Sequence, residues 1–284
     1  MTTIATLILQ GTQELSAALT LDSRAARIEA QALLGHALDQ PRSWLLAHDT
    51  DELSPDQEQH CRELLERRLG GEPVAYILGE REFYGLDFRV TPAVLIPRPE
   101  TELLVELALA RIPQNDAVRV LDLGTGSGAV AVTVAKLRPC AQVVGVDASA
   151  SALEVAAENG RRLGAANVVL KQGDWFSGLE GESFRLIVSN PPYIAADDPH
   201  LRQGDLRFEP SSALASGPDG LDDIRRIVAA APEHLEAGGW LLFEHGWDQT
   251  PRCREMLAAS GFTEVGSATD LAGIERVSFG RKPG

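Results

Sequence analysis

The stretch "VRVLDLGTGSGAVAV", residues 118–132, decides the fold. It begins as a short apolar run of the kind shown by a strand buried on both faces, and from Ala129 it continues as an apolar helix. Between the two stand Gly124, Gly126 and Gly128. Glycines at a strand-to-helix turn let the backbone come close to a ligand, at the sheet edge where open α/β folds bind one. The dinucleotide fingerprint is G-x-G-x-x-G, with the pyrophosphate on the helix N-terminus. Here the spacing is G-x-G-x-G, and Asp122 stands two residues before the first glycine. An acid there repels a pyrophosphate and suits a ligand that carries an ammonium group or a positive sulfur.

Outward from this loop the pattern repeats. Strand candidates "AQVVGVD" (141–147), "NVVLKQG" (167–173), "FRLIVSN" (184–190) and "GWLLFEH" (239–245) alternate with helical stretches near 129–137, 150–163, 222–236 and 249–260. That alternation predicts a mostly parallel sheet with helices on both faces, an α/β fold. The tail segments "FTEVGSATD" and "IERVSFGR" read as a final antiparallel pair. Asp147 ends the second strand, 19 residues after Gly128, where a carboxylate can accept hydrogen bonds from two ribose hydroxyls. At the third strand tip, Asp174 can accept from an adenine amino group and Trp175 can pack on the adenine ring. Taken singly, each feature has a plainer reading: a glycine turn for tight helix packing, a tryptophan for the core. Taken together, Asp122, the loop Gly124-Thr125-Gly126-Ser127-Gly128, Asp147 and the alternation point to S-adenosylmethionine as cofactor rather than NAD.

The fourth strand runs into "SNPPYIAADD", Ser189–Asp198. Two prolines cannot continue a central strand, because neither has an N–H for the ladder. Asn190 then sits at a strand tip beside the expected cofactor. A planar amide or aromatic amine nitrogen has a delocalised lone pair and is a poor nucleophile. A site helps by accepting hydrogen bonds from both of its N–H groups, which holds the nitrogen and favours a geometry with the lone pair aimed at the methyl carbon. The Asn190 side-chain carbonyl is one such acceptor and the Pro191 backbone carbonyl is the other, with φ restricted at Pro191 and Pro192. Tyr193 can pack on the planar group. Such a site needs orientation and fixed dipoles more than a strong base. Glu244-His245-Gly246, at the fifth strand tip, reads as a structural strand end.

Residues 1–75 read as a small helical domain. Asp22 or Ser23 can cap a helix carrying Ile28, Leu33 and Leu34. Ser54, Pro55 and Gln57 form a capping box ahead of Leu64, Leu65 and Leu69, and Gly70-Gly71 ends that helix. A β-hairpin linker is expected within 76–98, where Phe83-Tyr84 and Leu86–Val90 flank Gly85, and a catalytic domain over 99–284. Pro99 opens a helix whose apolar face carries Leu103, Leu104, Leu107 and Ala108. Arg67-Arg68 and Arg161-Arg162 read as solvated helix faces.

The chain has 284 residues and a net charge of −15, and that balance argues against nucleic acid as the main substrate. Cys61, Cys140 and Cys253 are far apart, and none of the six histidines pairs with a cysteine at ligand spacing, so no metal or disulfide framework is expected. No apolar run spans a bilayer, and "MTTIATLILQGTQEL" lacks the basic start and cleavage site of a leader; a cytoplasmic monomer is expected.

These motifs resemble the class I (Rossmann-like) S-adenosylmethionine-dependent methyltransferases of the amino-methylating group, in which adenine-N6 DNA methyltransferases and protein glutamine methyltransferases share Asn-Pro-Pro-Tyr. The whole chain resembles the release factor glutamine methyltransferases, the PrmC/HemK family. The match runs through the helical N-terminal part, "YILGEREFYGLDFRVTPAVLIPRPETELLVE" (76–106), "DLGTGSGAVAV" (122–132), "GDWF" (173–176) and "NPPYI" (190–194). The resemblance implies a methyltransferase domain joined by the hairpin to the small helical domain. It implies methyl transfer to the side-chain amide nitrogen of the glutamine in the Gly-Gly-Gln motif of peptide chain release factors. By the same resemblance Gly124–Gly128, Asp147, Trp175 and Asn190 contact the cofactor, Asn190–Tyr193 contact the glutamine, and the helical domain and hairpin help to grip the release factor. The stretch Arg98-Pro99-Glu100-Thr101-Glu102 favours this family over the related one that methylates a ribosomal protein glutamine. An adenine-N6 methyltransferase is the competing enzyme reading, disfavoured by charge. A nicotinamide dehydrogenase would have to bind NAD, and a binding module that had lost turnover would not need every site residue.

Overall fold

A computed structural model describes residues 2–284, in two compact units. The first comprises the chain through Glu80 together with Arg202–Phe208. It contains α1 (Ile4–Leu19), α2 (Ser23–Leu38), α3 (Arg42–Ala47), α4 (Pro55–Leu69) and α5 (Val74–Leu78). The caps follow from local chemistry. The Asp22 carboxylate accepts from the Ala25 N–H at 2.8 Å, and Ser54 and Gln57 form the reciprocal box that opens α4. Ala26, Ala30, Leu33 and Leu34 make the buried stripe of α2, at the i, i+4, i+7, i+8 spacing of one helix face. Ile28, carried by the same helix, lies off that stripe and is 46% exposed.

Arg68 departs from expectation: it is buried, not a solvated helix face. Its Nε donates to Glu29 Oε2 at 2.8 Å, and its Nη1 donates to Asp205 Oδ1 at 2.8 Å and to the Glu72 carbonyl at 3.0 Å. One guanidinium thus joins α2, the end of α4 and the 202–208 segment, using the fork of donors that only arginine has. Arg161 and Arg162 are exposed, as expected.

The second unit comprises Arg81–Leu201 and Glu209–Gly284. A hairpin of β1 (Glu80–Phe83) and β2 (Leu86–Arg89) turns at Tyr84-Gly85, both left-handed, with φ of 54° and 74°. Phe83 and Phe88 meet edge to face at 6.0 Å and pack into the core. Pro99–Thr101 forms one 3₁₀ turn, and α6 (Glu102–Arg111) begins only after it. Then come β3 (Arg119–Leu123), α7 (Ala129–Leu137), β4 (Gln142–Asp147), α8 (Ala150–Leu163), β5 (Val168–Gln172) and β6 (Phe184–Ser189). They are followed by α9 (Asp222–His234), β7 (Leu235–Glu244), α10 (Thr250–Ala259), β8 (Thr263–Thr269) and β9 (Glu275–Arg281). β7 starts four residues before its expected position at 239, because Leu235 already pairs with Phe184 ahead of a register shift.

The sheet order is β5-β4-β3-β6-β7-β9-β8, parallel except at β9, which runs antiparallel to β7 and β8. Val120, Leu121 and Leu123 of β3 are completely buried, and each such side chain contributes about 1.5–3 kcal/mol. The chain walks one way from β3 through β4 to β5, then returns to lay β6 on the other side of β3. Strand order therefore reverses between β3 and β6, where open α/β sheets form a crevice at the strands' carboxyl ends. In register, Leu123 pairs with Ser189, and the Ser189 hydroxyl donates to the Leu123 carbonyl at 2.8 Å. The glycine loop and the Asn-Pro-Pro-Tyr segment consequently leave the sheet side by side. No helix among the described residues is long and apolar enough to cross a membrane.

Arg68→Ala leaves two carboxylates without their shared cation and is expected to cost the helical unit about 2–3 kcal/mol, since both carboxylates keep some solvent. Hydrogen exchange is the measurement: amides of α4 and of residues 202–208 should exchange faster, while those of β3 and β6 hold.

Candidate active site

The glycine loop is tied to its neighbour strand, because the Gly124 and Thr125 N–H groups both donate to the Val146 carbonyl, at 2.8 and 2.9 Å. Gly124 has φ of 69°, and a Cβ there would lie 3.3 Å from the Trp175 ring. Gly128 has φ of 80°, and its Cβ would press on Val132 and Ala156 at 3.1 and 3.2 Å, where α7 packs on α8. One glycine thus keeps space at the ligand side, and the other lets the two helices close.

Asp122 sits under the loop. Its Oδ2 accepts from the Thr125 hydroxyl at 2.7 Å and from the Ala131 N–H at 3.2 Å. Burial pushes its carboxyl up to about 7, against the pull of those two bonds. Asp122, Thr125 and Ser127 line a small recess of about 50 Å³ together with Arg98, Thr101 and Asn190. Asp147 accepts from the Gly126 N–H at 2.8 Å through Oδ2 and from the Ser149 N–H at 2.9 Å through Oδ1. Each of its oxygens keeps a second lone pair.

A cavity of about 600 Å³ opens beside the loop, walled by Gly124, Gly126, Asp147, Trp175, Asn190 and Pro192. Trp175 adopts φ of 53°, unusual for a residue with a side chain, and its Nε1 donates to Asp223 Oδ1 at 3.1 Å. Asp223 is held in turn by Ser216, whose hydroxyl donates to it at 2.7 Å. Asp174 also borders the cavity but pairs with Arg226 at 2.6 Å on the exposed rim. The opposite wall comes from 93–95 and 210–215. The latter segment is brought back by a short parallel bridge, in which the Ile194 N–H donates to the Leu214 carbonyl at 2.9 Å.

Asn190 borders both the cavity and the recess, Pro192 borders the cavity, and Pro191 and Tyr193 border neither. Asn190 Nδ2 donates to Thr101 Oγ1 at 3.1 Å, Thr101 Oγ1 donates to Glu244 Oε2 at 2.7 Å, and the Tyr193 hydroxyl donates to Glu244 Oε1 at 3.1 Å. The Tyr193 hydroxyl is therefore committed to a buried acid; burial first, and then that acid, raise its pKa. Glu244, read from sequence as a strand end, does close β7, and it is joined to Asn190 through Thr101. Its neighbour His245 is structural: buried, its Nε2 lies 2.9 Å from Ser278 Oγ, and burial lowers its pKa. Sequence reasoning quoted Thr101 only for the resemblance, read Glu244 as a strand end, and did not single out Asp223 or the 210–215 wall. An acid at a fifth strand tip on the ligand edge was the available signal for Glu244.

The Arg98–Glu102 stretch is the hub of these contacts. Arg98 pairs with the buried Glu209, which also accepts from the Ile96 N–H at 3.2 Å, and Glu102 accepts from the Tyr84 N–H at 2.8 Å. Asn159, fully buried on α8, bonds both the N–H and the carbonyl of Arg89 in the hairpin, at 2.7 and 2.9 Å, and the Ser127 carbonyl in the glycine loop at 2.9 Å.

A buried carboxyl that keeps its proton up to about 7 when folded, but releases it near 3.8 when unfolded, stabilises the fold most in acid. Stability contributed by Asp122 should therefore decline as pH rises toward about 7 and level off above it. Urea unfolding at several pH values is expected to show this decline, with a smaller slope in Asp122→Asn.

Residues 6–79 match the family model described as PrmC N-terminal domain, and residues 114–244 match a methyltransferase domain. The release factor glutamine methyltransferase of Xylella fastidiosa is 52% identical over 261 residues, 92% of this chain and 95% of that protein. The one from Bordetella pertussis is 54% identical over 92% of this chain and 97% of its own, and the one from Escherichia coli 44% identical over 91% and 93%. Among solved structures, a methyltransferase from Pyrococcus furiosus aligns with a TM-score of 0.54 at 19% identity, over 80% of this chain and 98% of its own. The 16S rRNA methyltransferase RsmC of T. thermophilus, solved with AdoMet and guanosine, aligns at 0.53 and 22% identity, over 72% of this chain and 49% of its own. These two structures share the class I methyltransferase fold with the second unit, and the identity of the full-length relatives goes further: the chain belongs to the release factor glutamine methyltransferase family.

Proposed function

We propose that this protein transfers the methyl group of S-adenosylmethionine to the side-chain amide nitrogen of the glutamine in the Gly-Gly-Gln motif of peptide chain release factors, in the cytoplasm. One observation carries the reading: Asn190, at the switch point beside the glycine loop, is held by its NH₂ end on Thr101, which leaves its Oδ1 as the acceptor for an incoming N–H.

The cavity residues fit the cofactor. Three carboxylates, Asp147, Asp174 and Asp223, border it against one cation, Arg226, which Asp174 already engages. That balance suits a positively charged sulfonium and rejects a pyrophosphate. The free lone pairs of Asp147 suit ribose hydroxyls, and Trp175 offers an aromatic wall next to the space left by Gly124. When bound, S-adenosylmethionine supplies an electrophilic methyl group on a cationic sulfur. The protein's own work is positional. Asn190 Oδ1 accepts one N–H of the glutamine amide, and the Pro191 carbonyl is the proposed acceptor of the other. Pro192 walls the cavity and keeps water from the nitrogen. Holding both N–H groups aims the lone pair at the methyl carbon, the kind of orientation that accounts for much of enzymatic rate enhancement.

Incubation with cofactor and an intact release factor, followed by mass spectrometry of the Gly-Gly-Gln peptide, tests the reading; methylation confined to added DNA would overturn it. Asn190→Ala should lower kcat by about 10²–10³ and change S-adenosylhomocysteine affinity little, because one positioned hydrogen-bond partner is lost from the reacting nitrogen. Asp147→Ala should do the reverse: calorimetry should show S-adenosylhomocysteine binding weakened about tenfold or more, since the hydroxyl acceptors and the anchor of the Gly126 N–H disappear together.

A further inference from the structure

Glu244 closes β7 with only 1% of its surface exposed. A carboxylate so buried is tolerated when its lone pairs are met by donors. Here Thr101 meets Oε2 and Tyr193 meets Oε1, both through hydroxyls. A hydroxyl has a single proton. The proton of Thr101 is spent on Glu244, so toward Asn190 Thr101 offers only lone pairs. The NH₂ end of the Asn190 amide can meet those lone pairs; the carbonyl end cannot. The two ends have nearly the same shape, so sterics alone does not choose between them. Reversed, Asn190 would present NH₂ to the substrate amide and oppose two donors to each other.

We propose that Glu244, acting through the Thr101 hydroxyl, is the positioning residue that turns the Asn190 amide oxygen toward the substrate nitrogen. The inference rests on the reading of Asn190 as the acceptor for a glutamine amide. It gives a role to a strand-tip acid 143 residues from Thr101 in sequence, which touches neither cavity.

The arrangement has a protonation requirement. A protonated Glu244 donates a hydrogen bond to the hydroxyl oxygen of one of its two partners. When that partner is Thr101, the threonine hydroxyl proton turns to Asn190 and is met by the amide oxygen; the amide rotates, and NH₂ faces the cavity. Burial raises the Glu244 pKa to about 7, opposed by the bonds from Thr101 and Tyr193 and by Arg276 on β9, and reinforced by Glu100 on the 3₁₀ turn. The active form is the carboxylate, so kcat should rise with pH in a one-proton step near neutrality. Asp122 titrates in the same range but is common to all variants, so the readout is the difference between proteins.

The test measures kcat and KM on an intact release factor from pH 5.5 to 8.5, with S-adenosylhomocysteine affinity as the check of folding. Thr101→Val removes the relay at nearly constant volume and should lower kcat about tenfold or more, with cofactor affinity held within about twofold. Thr101→Ser restores the hydroxyl and should recover most of the rate. Glu244→Gln has no proton to lose and should lack the near-neutral step. A Thr101→Val protein with wild-type kcat, or a Glu244→Gln protein that keeps the full step, overturns the proposal while leaving the glutamine reaction standing. A wild-type protein that binds S-adenosylhomocysteine yet leaves the Gly-Gly-Gln glutamine unmodified overturns the underlying reading, and the proposal with it.

Discussion

Everything at the site depends on one parallel pairing, that of β3 with β6. Their register sets Leu123 opposite Ser189, and the Ser189 hydroxyl locks the two strand ends together. Because both strands stop at that level, the loop built to admit a ligand and the amide built to hold a nitrogen emerge as neighbours. A parallel sheet requires long crossovers between paired strands, and those crossovers carry the rest of the machinery. The β3–β4 crossover supplies the glycine loop and delivers Asp147, and the return after β6 supplies the 210–215 wall.

Around that pairing the protein spends buried charge sparingly. Glu244 and Asp122 are each almost fully enclosed, and each is met by neutral hydroxyl or amide donors rather than by a cation. Such acids give directional control, and the desolvation that no directly paired cation offsets raises their pKa values and leaves the site sensitive to protons. The cationic residue nearest the small recess, Arg98, is given to Glu209 instead, where it ties the segment ahead of α6 to the wall of the cavity. Rim charges such as Asp174 and Arg226 are screened by water and contribute little to the fold.

Much of the fold was legible because buried parallel strands announce themselves as unbroken apolar runs. Val143–Val146 and Leu186–Val188 have no polar alternation to confuse with a surface strand, and the three glycines mark the turn between β3 and α7. What was illegible has a common cause. The pairing of Thr101 with Glu244, and of Arg68 with Glu29 and Asp205, joins residues far apart in the chain, and no local period reports a long-range polar contact. Arg68 and Arg67 are adjacent and alike in sequence, yet Arg68 alone turns inward to Glu29 and Asp205. The start of β7 was misplaced because Leu235 pairs before a register shift, which breaks the simple rhythm. The distinctive Arg98–Glu102 stretch was recognised by resemblance, and its physical meaning, three side chains reaching three separate elements, came only from the structure.

Asn159 makes the hairpin and the glycine loop a single mechanical body. Its amide is filled on both ends, by the Arg89 backbone on one side and the Ser127 carbonyl on the other, in a place closed to water. A load applied to the hairpin therefore has a stiff, three-bond route to the glycine loop, where a flexible connection would absorb it. The hairpin is constrained at both ends: its tip needs the left-handed turn at Tyr84-Gly85 and the bond to Glu102, and the backbone at Arg89 has to keep its spacing to the loop.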